Sequence, residues 1–219
     1  VSTITSRMHE KLAQKGLPLS RTYLFPNWVD TSEIRPLNRP SLFRQKLGIE
    51  EKAMVALYSG TMGEKQGLDI FFKTVQSLPD ITFVFCGEGG MVEPLKRHSH
   101  DRPNVRVLPL QPAEDLNELL NLADVHLLPQ KRSAADLVMP SKITGIFASG
   151  RPVVSTADPG TQLHLTTLGR GICVAPEDPD AFIEAIKTLA GDPEMRVRFG
   201  KEARLYAEQC WAKERILGQ

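Results

Sequence analysis

From residue 53 onward, short apolar runs recur at regular intervals, each followed by a segment with helical periodicity. Ala53–Tyr58, Ile81–Cys86, Val105–Leu108, Val125–Leu128, Pro152–Ser155 and Gly171–Val174 are nearly continuous apolar runs of four to six residues. Runs of this length, without polar alternation, predict strands covered on both faces of a sheet. Helices are expected between them at Leu68–Ser77, Met91–His98, Glu114–Leu122, Ser141–Ser149 and Thr161–Leu168, and two more close the chain at 178–190 and 194–209. Strands alternating with helices imply βαβ units and a parallel sheet, so the predicted fold class is α/β, a Rossmann-like doubly wound domain.

The first fifty residues read differently. Ile4, Met8 and Leu12 recur at helical spacing, which predicts a helix over 2–15 with Gly16 as its C-cap. Thr22–Phe25 is a short strand stopped by Pro26 and Asn27, residues 30–41 are a loop carrying proline and polar groups, and Ser41–Leu47 is a short helix ended by Gly48. The chain has no initiator Met and begins in a helical pattern, so a fragment of a longer protein is expected.

Composition narrows the classes. The 219 residues are 41% hydrophobic and 24% charged, ordinary for a globular domain. With 27 basic and 26 acidic residues the net charge is +1, which gives no long-range attraction to nucleic acid or to an anionic membrane. No apolar run approaches the roughly 20 residues that span a bilayer. The three cysteines, Cys86, Cys173 and Cys210, have no CxxC spacing, and Cys86 and Cys173 end apolar runs. They read as small core residues in a reducing compartment, with no metal site and no disulfide framework. The histidines lie on different elements without ligand spacing, and Trp28 and Trp211 read as packing residues.

In an open parallel sheet ligands sit beyond the carboxyl ends of the strands. That selects the loops 59–67, 87–90, 109–112, 129–145 and 155–161. The first, Ser59–Gly67, holds Gly60, Gly63 and Gly67 between a strand and a helix, with Lys65 able to pair with a phosphate. Its glycines let peptide N–H groups approach an anion, or they serve a plain strand-to-helix turn. It matches neither GxGxxG nor a Walker A sequence. In Gly87-Glu88-Gly89-Gly90, Glu88 is either an acceptor for a ligand hydroxyl or a first-turn acid of the next helix. The third, from Pro129 to Gly145, carries Asp136, Ser141 and Lys142, with Ser141 as the expected N-cap.

These segments resemble the C-terminal domain of retaining group-1 (family 4) glycosyltransferases of the GT-B fold. The likeness is carried by Phe25-Pro26-Asn27-Trp28-Val29-Asp30, Tyr58-Ser59-Gly60-Thr61-Met62-Gly63, Phe85-Cys86-Gly87-Glu88-Gly89, Ala123-Asp124-Val125 and Pro140-Ser141-Lys142, the last followed by Ala148-Ser149-Gly150-Arg151-Pro152. The order and the Pro-Ser-Lys form look most like the subgroup that builds colanic acid and other bacterial surface polysaccharides. The resemblance implies one half of a GT-B fold: residues 1–30 at a junction with a missing N-terminal domain, and 31–219 binding a nucleotide sugar. It also implies a cytoplasmic enzyme, with peripheral membrane contact through the missing domain as an open alternative, no nucleic-acid partner and no cofactor beyond the nucleotide diphosphate sugar that is its substrate.

Site residues follow from the same likeness. The amides of Gly60, Thr61 and Gly63 and the start of helix 141–149 would hold the diphosphate, with Lys65 and Lys142 as the candidate catalytic cations. Gly87, Glu88, Gly89, Leu110 and Gln111 lie where sugar or base contacts are expected. The family carries two glutamates separated by seven residues, the second of which holds ribose hydroxyls. Here Gly145 stands at the second position and Leu137 near the first, so Asp136 or Thr144 is expected to compensate, or the protein is a non-catalytic binding member. Thr61 stands where many members have an arginine. The chain lacks the acidic and histidine groups in the crevice that a nucleotide-sugar epimerase would need, and the GxGxxG after the first strand that an NAD-dependent dehydrogenase would carry.

Overall fold

The computed structural model describes residues 1–134 and 139–218. Its elements in chain order are β1 (Ser2–Thr3), α1 (Ser6–Gln14), β2 (Tyr23–Leu24), α2 (Leu42–Lys46), β3 (Val55–Ser59), α3 (Ile70–Ser77), β4 (Thr82–Cys86), α4 (Val92–His98), β5 (Val105–Leu108), α5 (Leu116–Leu122), β6 (Val125–Leu128), α6 (Lys142–Ala148), β7 (Val153–Thr156), α7 (Gln162–Thr167), β8 (Gly171–Val174), α8 (Pro179–Gly191), α9 (Pro193–Cys210) and α10 (Lys213–Leu217). Six strands form one parallel sheet in the order β5-β4-β3-β6-β7-β8. The predicted strands and helices are all present within a few residues.

The start of the chain departs from expectation. Ser2 and Thr3 are strand, not helix, and pair in parallel with Tyr23 and Leu24 as a separate two-stranded sheet. Helix α1 begins only after Thr5, whose side chain accepts from the Met8 N–H. The apolar spacing of Ile4, Met8 and Leu12 continues across that cap, and periodicity alone cannot see the break. Gly16 follows the helix with φ +85°, as a C-terminal glycine should. Tyr23, Leu24 and Phe25 are exposed.

Alternation along β3 shows why the sheet is apolar throughout. Ala56 and Tyr58 pack with Phe71 of α3 and Phe182 of α8. Val55 and Leu57 pack with Phe43 of α2 and Leu119 and Leu122 of α5. A third cluster joins Phe147 of α6, Val153 of β7, Ala203 of α9 and Trp211. Because strands β3 and β6 are neighbours though far apart in sequence, the chain turns back at this point, and a crevice opens at their carboxyl ends. Cys86 is buried as expected, whereas Cys173 is only half-buried at the sheet edge.

Candidate functional site

Two loops meet at that crevice, and glycine makes their meeting possible. The Gly60 N–H donates to the Cys86 carbonyl at 2.8 Å and the Met62 N–H to the Glu88 carbonyl at 2.7 Å. A Cβ on Gly87 would sit 1.9 Å from the Gly60 carbonyl oxygen, and one on Gly89 would sit 2.5 Å from that of Met62. The loops after β3 and β4 are therefore pressed backbone to backbone. This corrects the expectation of a cradle of free amides at 60–63. Gly60 and Met62 are engaged with the neighbouring loop, and the Gly63 N–H is engaged by the Gln66 side-chain oxygen at 3.1 Å. Thr61 keeps the one unengaged amide of the four among the described residues.

A cleft of about 590 Å³ opens beside this crossing. The strand ends contribute Ser59, Gly60 and Cys86. The segment after β5 and the start of α5 contribute Leu110, Gln111, Pro112, Ala113, Leu116, Leu119 and Leu120. Ser141, Lys142, Thr144 and Gly145 enter from the start of α6, and Trp28, Val29 and Ile34 from the segment that precedes α2. The structure thus brings together Gly60, Leu110, Gln111, Ser141, Lys142, Thr144 and Gly145. It leaves Thr61, Gly63, Lys65, Gly87, Glu88 and Gly89 outside the lining. Glu88 is exposed and meets the first loop through its carbonyl alone, while Gly87 and Gly89 serve the crossing. Asp136 lies outside the described residues.

The two candidate cations differ sharply. Lys65 is exposed, and its carbonyl accepts from the Lys131 N–H. Lys142 is largely buried: its Nζ donates to Tyr58 Oη at 2.9 Å and stands 4.1 Å from the centre of the Tyr58 ring. Burial pulls its pKa down to about 8. A Cβ on Gly60 would lie 3.1 Å from that Nζ, so glycine there leaves room for the lysine stem. Burial also pushes the Tyr58 phenol and the Cys86 thiol above their usual ranges, although an N–H from Gln111 partly offsets the thiol's shift. The Cys86 thiol donates to the Pro109 carbonyl.

Other expectations shift in detail. Ser141 has helical dihedrals and its hydroxyl makes no capping bond. Its carbonyl instead accepts from both the N–H and the hydroxyl of Thr144. Gly145 faces the cleft, and a Cβ there would sit 3.2 Å from Leu120 Cδ1. Gln111 donates through its side chain to the Pro109 carbonyl. Trp28, read from sequence as a packing residue, is 41% exposed and lines the cleft. Tyr58 was passed over because it sits inside an apolar run. Its signal is a phenol hydroxyl beside that of Ser59 at the carboxyl end of the strand, next to the glycine loop.

A second cleft of about 650 Å³ lies by Asp124 and Pro152, which precede β6 and β7 and so mark the amino ends of the strands. Its Arg196 donates to the carbonyls of Leu189 and Ala190, and its Arg204 to those of Thr31, Ile34 and Ala148. Those guanidiniums brace chain segments. The slightly smaller cleft, with a buried cation at strand carboxyl ends, is the better candidate for ligand chemistry. Among the described residues no group of three metal-ligating side chains converges, and no helix is long and apolar enough to cross a membrane.

A doubly wound parallel sheet with a cationic cleft at its switch point is a Rossmann-like α/β domain, of the kind that forms half of a GT-B molecule. A family model for group 1 glycosyl transferases matches residues 41–206, and the chain belongs to that family. It is 35% identical over 228 aligned residues to the colanic acid biosynthesis glycosyl transferase WcaI of Escherichia coli K12, covering all of this chain and 55% of that protein. Among solved structures, HepE of Anabaena in complex with UDP and glucose superposes with TM-score 0.83 at 20% identity, covering 100% of this chain and 61% of that one. The sucrose-phosphate synthase of Thermosynechococcus elongatus superposes with TM-score 0.80 at 19% identity, covering 99% of this chain and 55% of the other. The chain therefore spans little more than half the length of these proteins.

Proposed function

We propose that this chain is the donor-binding half of a retaining glycosyltransferase that moves a sugar from a nucleotide diphosphate to an acceptor hydroxyl in bacterial polysaccharide synthesis. The observation that carries the reading is Lys142, a buried cation aimed across Gly60 in a cleft at the strand carboxyl ends. HepE, whose fold the chain shares, was solved with UDP, which supports a nucleoside diphosphate as the ligand. Transfer requires stabilising the charge that develops on the leaving diphosphate. Lys142 and the free Thr61 amide would supply this, in place of the amides of Gly60 and Gly63 and the side chain of Lys65. The exposed Leu110 and the neighbouring Gln111 would meet the base. The acceptor site belongs to a preceding domain, toward which the open β1–β2 pair and exposed Tyr23 and Phe25 would face. In this reading the protein is cytoplasmic, any membrane contact runs through that domain, and the chain alone binds donor weakly without turnover.

Calorimetry with UDP, GDP and NADH tests the reading. One nucleoside diphosphate should bind and NADH should not. Lys142→Ala should weaken binding about ten- to a hundredfold, as expected for losing a charge-assisted contact of about 1.5–3 kcal/mol. Lys65→Ala should change it by less than about twofold. Equal losses in the two variants, or preferential NADH binding, would reject it. Gly145 favours a second reading, a member that binds the donor without transferring it. Turnover by the protein extended through its preceding domain, with the anomeric product read by NMR, separates the two.

A further inference from the structure

We propose that Tyr58 is a positioning residue for the diphosphate-binding cation, its hydroxyl fixing the Lys142 ammonium over Gly60 before a ligand arrives. The inference rests on the donor-site reading above and adds a residue to it.

The hydroxyl has one proton and two acceptor lone pairs. Its proton goes to the Thr61 carbonyl at 2.5 Å. Toward Lys142 Nζ, 2.9 Å away, it therefore acts as acceptor, and the bond points from nitrogen to oxygen. The same ring lies beneath the nitrogen at 4.1 Å, a second electrostatic hold on a cation. Tyr58 is itself immovable: it is fully buried, and its ring meets Phe71 edge-on at 5.6 Å. Tyr58 packs in the layer of α3 and α8, whereas α6 belongs to the opposite layer. The lysine stem thus crosses the strand tips, and a Cβ at position 60 would crowd its end, at 3.1 Å from Nζ and 3.2 Å from Cε.

What is missing around the ammonium is as informative. From β3 it meets Tyr58, and from β4 the cleft offers Cys86. Residues 110–113 bring no charge, nor do Ser141, Thr144 and Gly145 on its own side or Trp28, Val29 and Ile34 opposite. Among the described residues no carboxylate faces it. Burying a cation away from a counter-ion is costly, and among the described residues the tyrosine hydroxyl and ring are its polar support. An arriving diphosphate completes the pair. Because burial holds the empty-site pKa near 8, the anion must recharge the amine above that pH, and binding then takes up a proton. Affinity should fall about tenfold per pH unit above about 8. Losing the acceptor hydroxyl disfavours the charged amine further, so the fall should begin at lower pH.

The test is UDP binding by calorimetry between about pH 7 and 9 to the wild-type chain, Tyr58→Phe, Lys142→Met and the double variant. Phe keeps the ring and its packing. Tyr58→Phe should weaken binding about five- to tenfold at neutral pH and move the pH midpoint down. In the Lys142→Met background the same change should cost nothing further, and the pH dependence should vanish. Failure of the wild-type chain to bind UDP or any nucleoside diphosphate sinks the donor-site reading itself. Binding by the wild type, with Tyr58→Phe unchanged in midpoint or equally damaging in both backgrounds, overturns the positioning role alone.

Discussion

His126 shows how far one buried side chain can reach. It is fully buried on β6, its Nε2 donates to the Leu120 carbonyl at 3.0 Å, and its Nδ1 has no partner among the described residues. Burial holds its pKa down to about 3, well below the ordinary value near 6.5. Above about pH 6.5 both folded and unfolded chains carry it neutral. As pH falls from about 6.5 toward 3, the unfolded chain takes up a proton that the folded one refuses, so stability drops by up to about 1.4 kcal/mol per pH unit. His126→Gln keeps an N–H for Leu120 and does not titrate, so that part of the slope should be absent from urea midpoints measured across this range. Leu120 is also the side chain nearest the Cβ position of Gly145, which links this core histidine to the cleft by packing.

At the scale of elements, the loop crossing of Gly60 with Gly87 is the feature most exposed to test. Gly87 has φ +152° and no room for a Cβ. Gly87→Ala must drive the loops after β3 and β4 apart, lowering the unfolding free energy by about 2–4 kcal/mol, with a lower denaturation midpoint and loss of nucleotide binding. An unchanged midpoint would contradict the crossing. Strands and helices from 53 onward were legible because strand runs and helical periods differ clearly in apolar pattern. The glycine-rich loops were legible as positions but not as chemistry. Gly60 and Gly63 looked like an anion cradle, yet the hydrogen bonds at 60–63 go to the adjacent loop and to Gln66. Which partner an amide finds depends on residues brought together by the sheet, and no local pattern records that. The Ser141 cap failed for a related reason, since Ser141 joins the helical backbone itself.

For the molecule as a whole, the strand order sets two clefts at opposite ends of one sheet: Arg151 lines the one at the strand amino ends, and Lys142 the one beyond the carboxyl ends. The rim of the second offers a reporter. Trp28 lines the cleft, while Trp211 is buried against Phe147 and Tyr206. Nucleotide binding should change tryptophan emission in the wild-type chain and leave Trp28→Phe silent. A full signal in that variant would place the ligand elsewhere.

The clasp on Val29 gives the chain's far end a stake in this rim. The Val29 N–H donates to the Trp211 carbonyl at 2.9 Å, its carbonyl accepts from the Lys213 N–H at 3.0 Å, and Lys213 Nζ meets Asp30 at 3.2 Å. Residues 211–213 thus moor that side of the cleft from behind. Loosening that mooring by Lys213→Ala should register as weaker grip on a molecule the residue never touches.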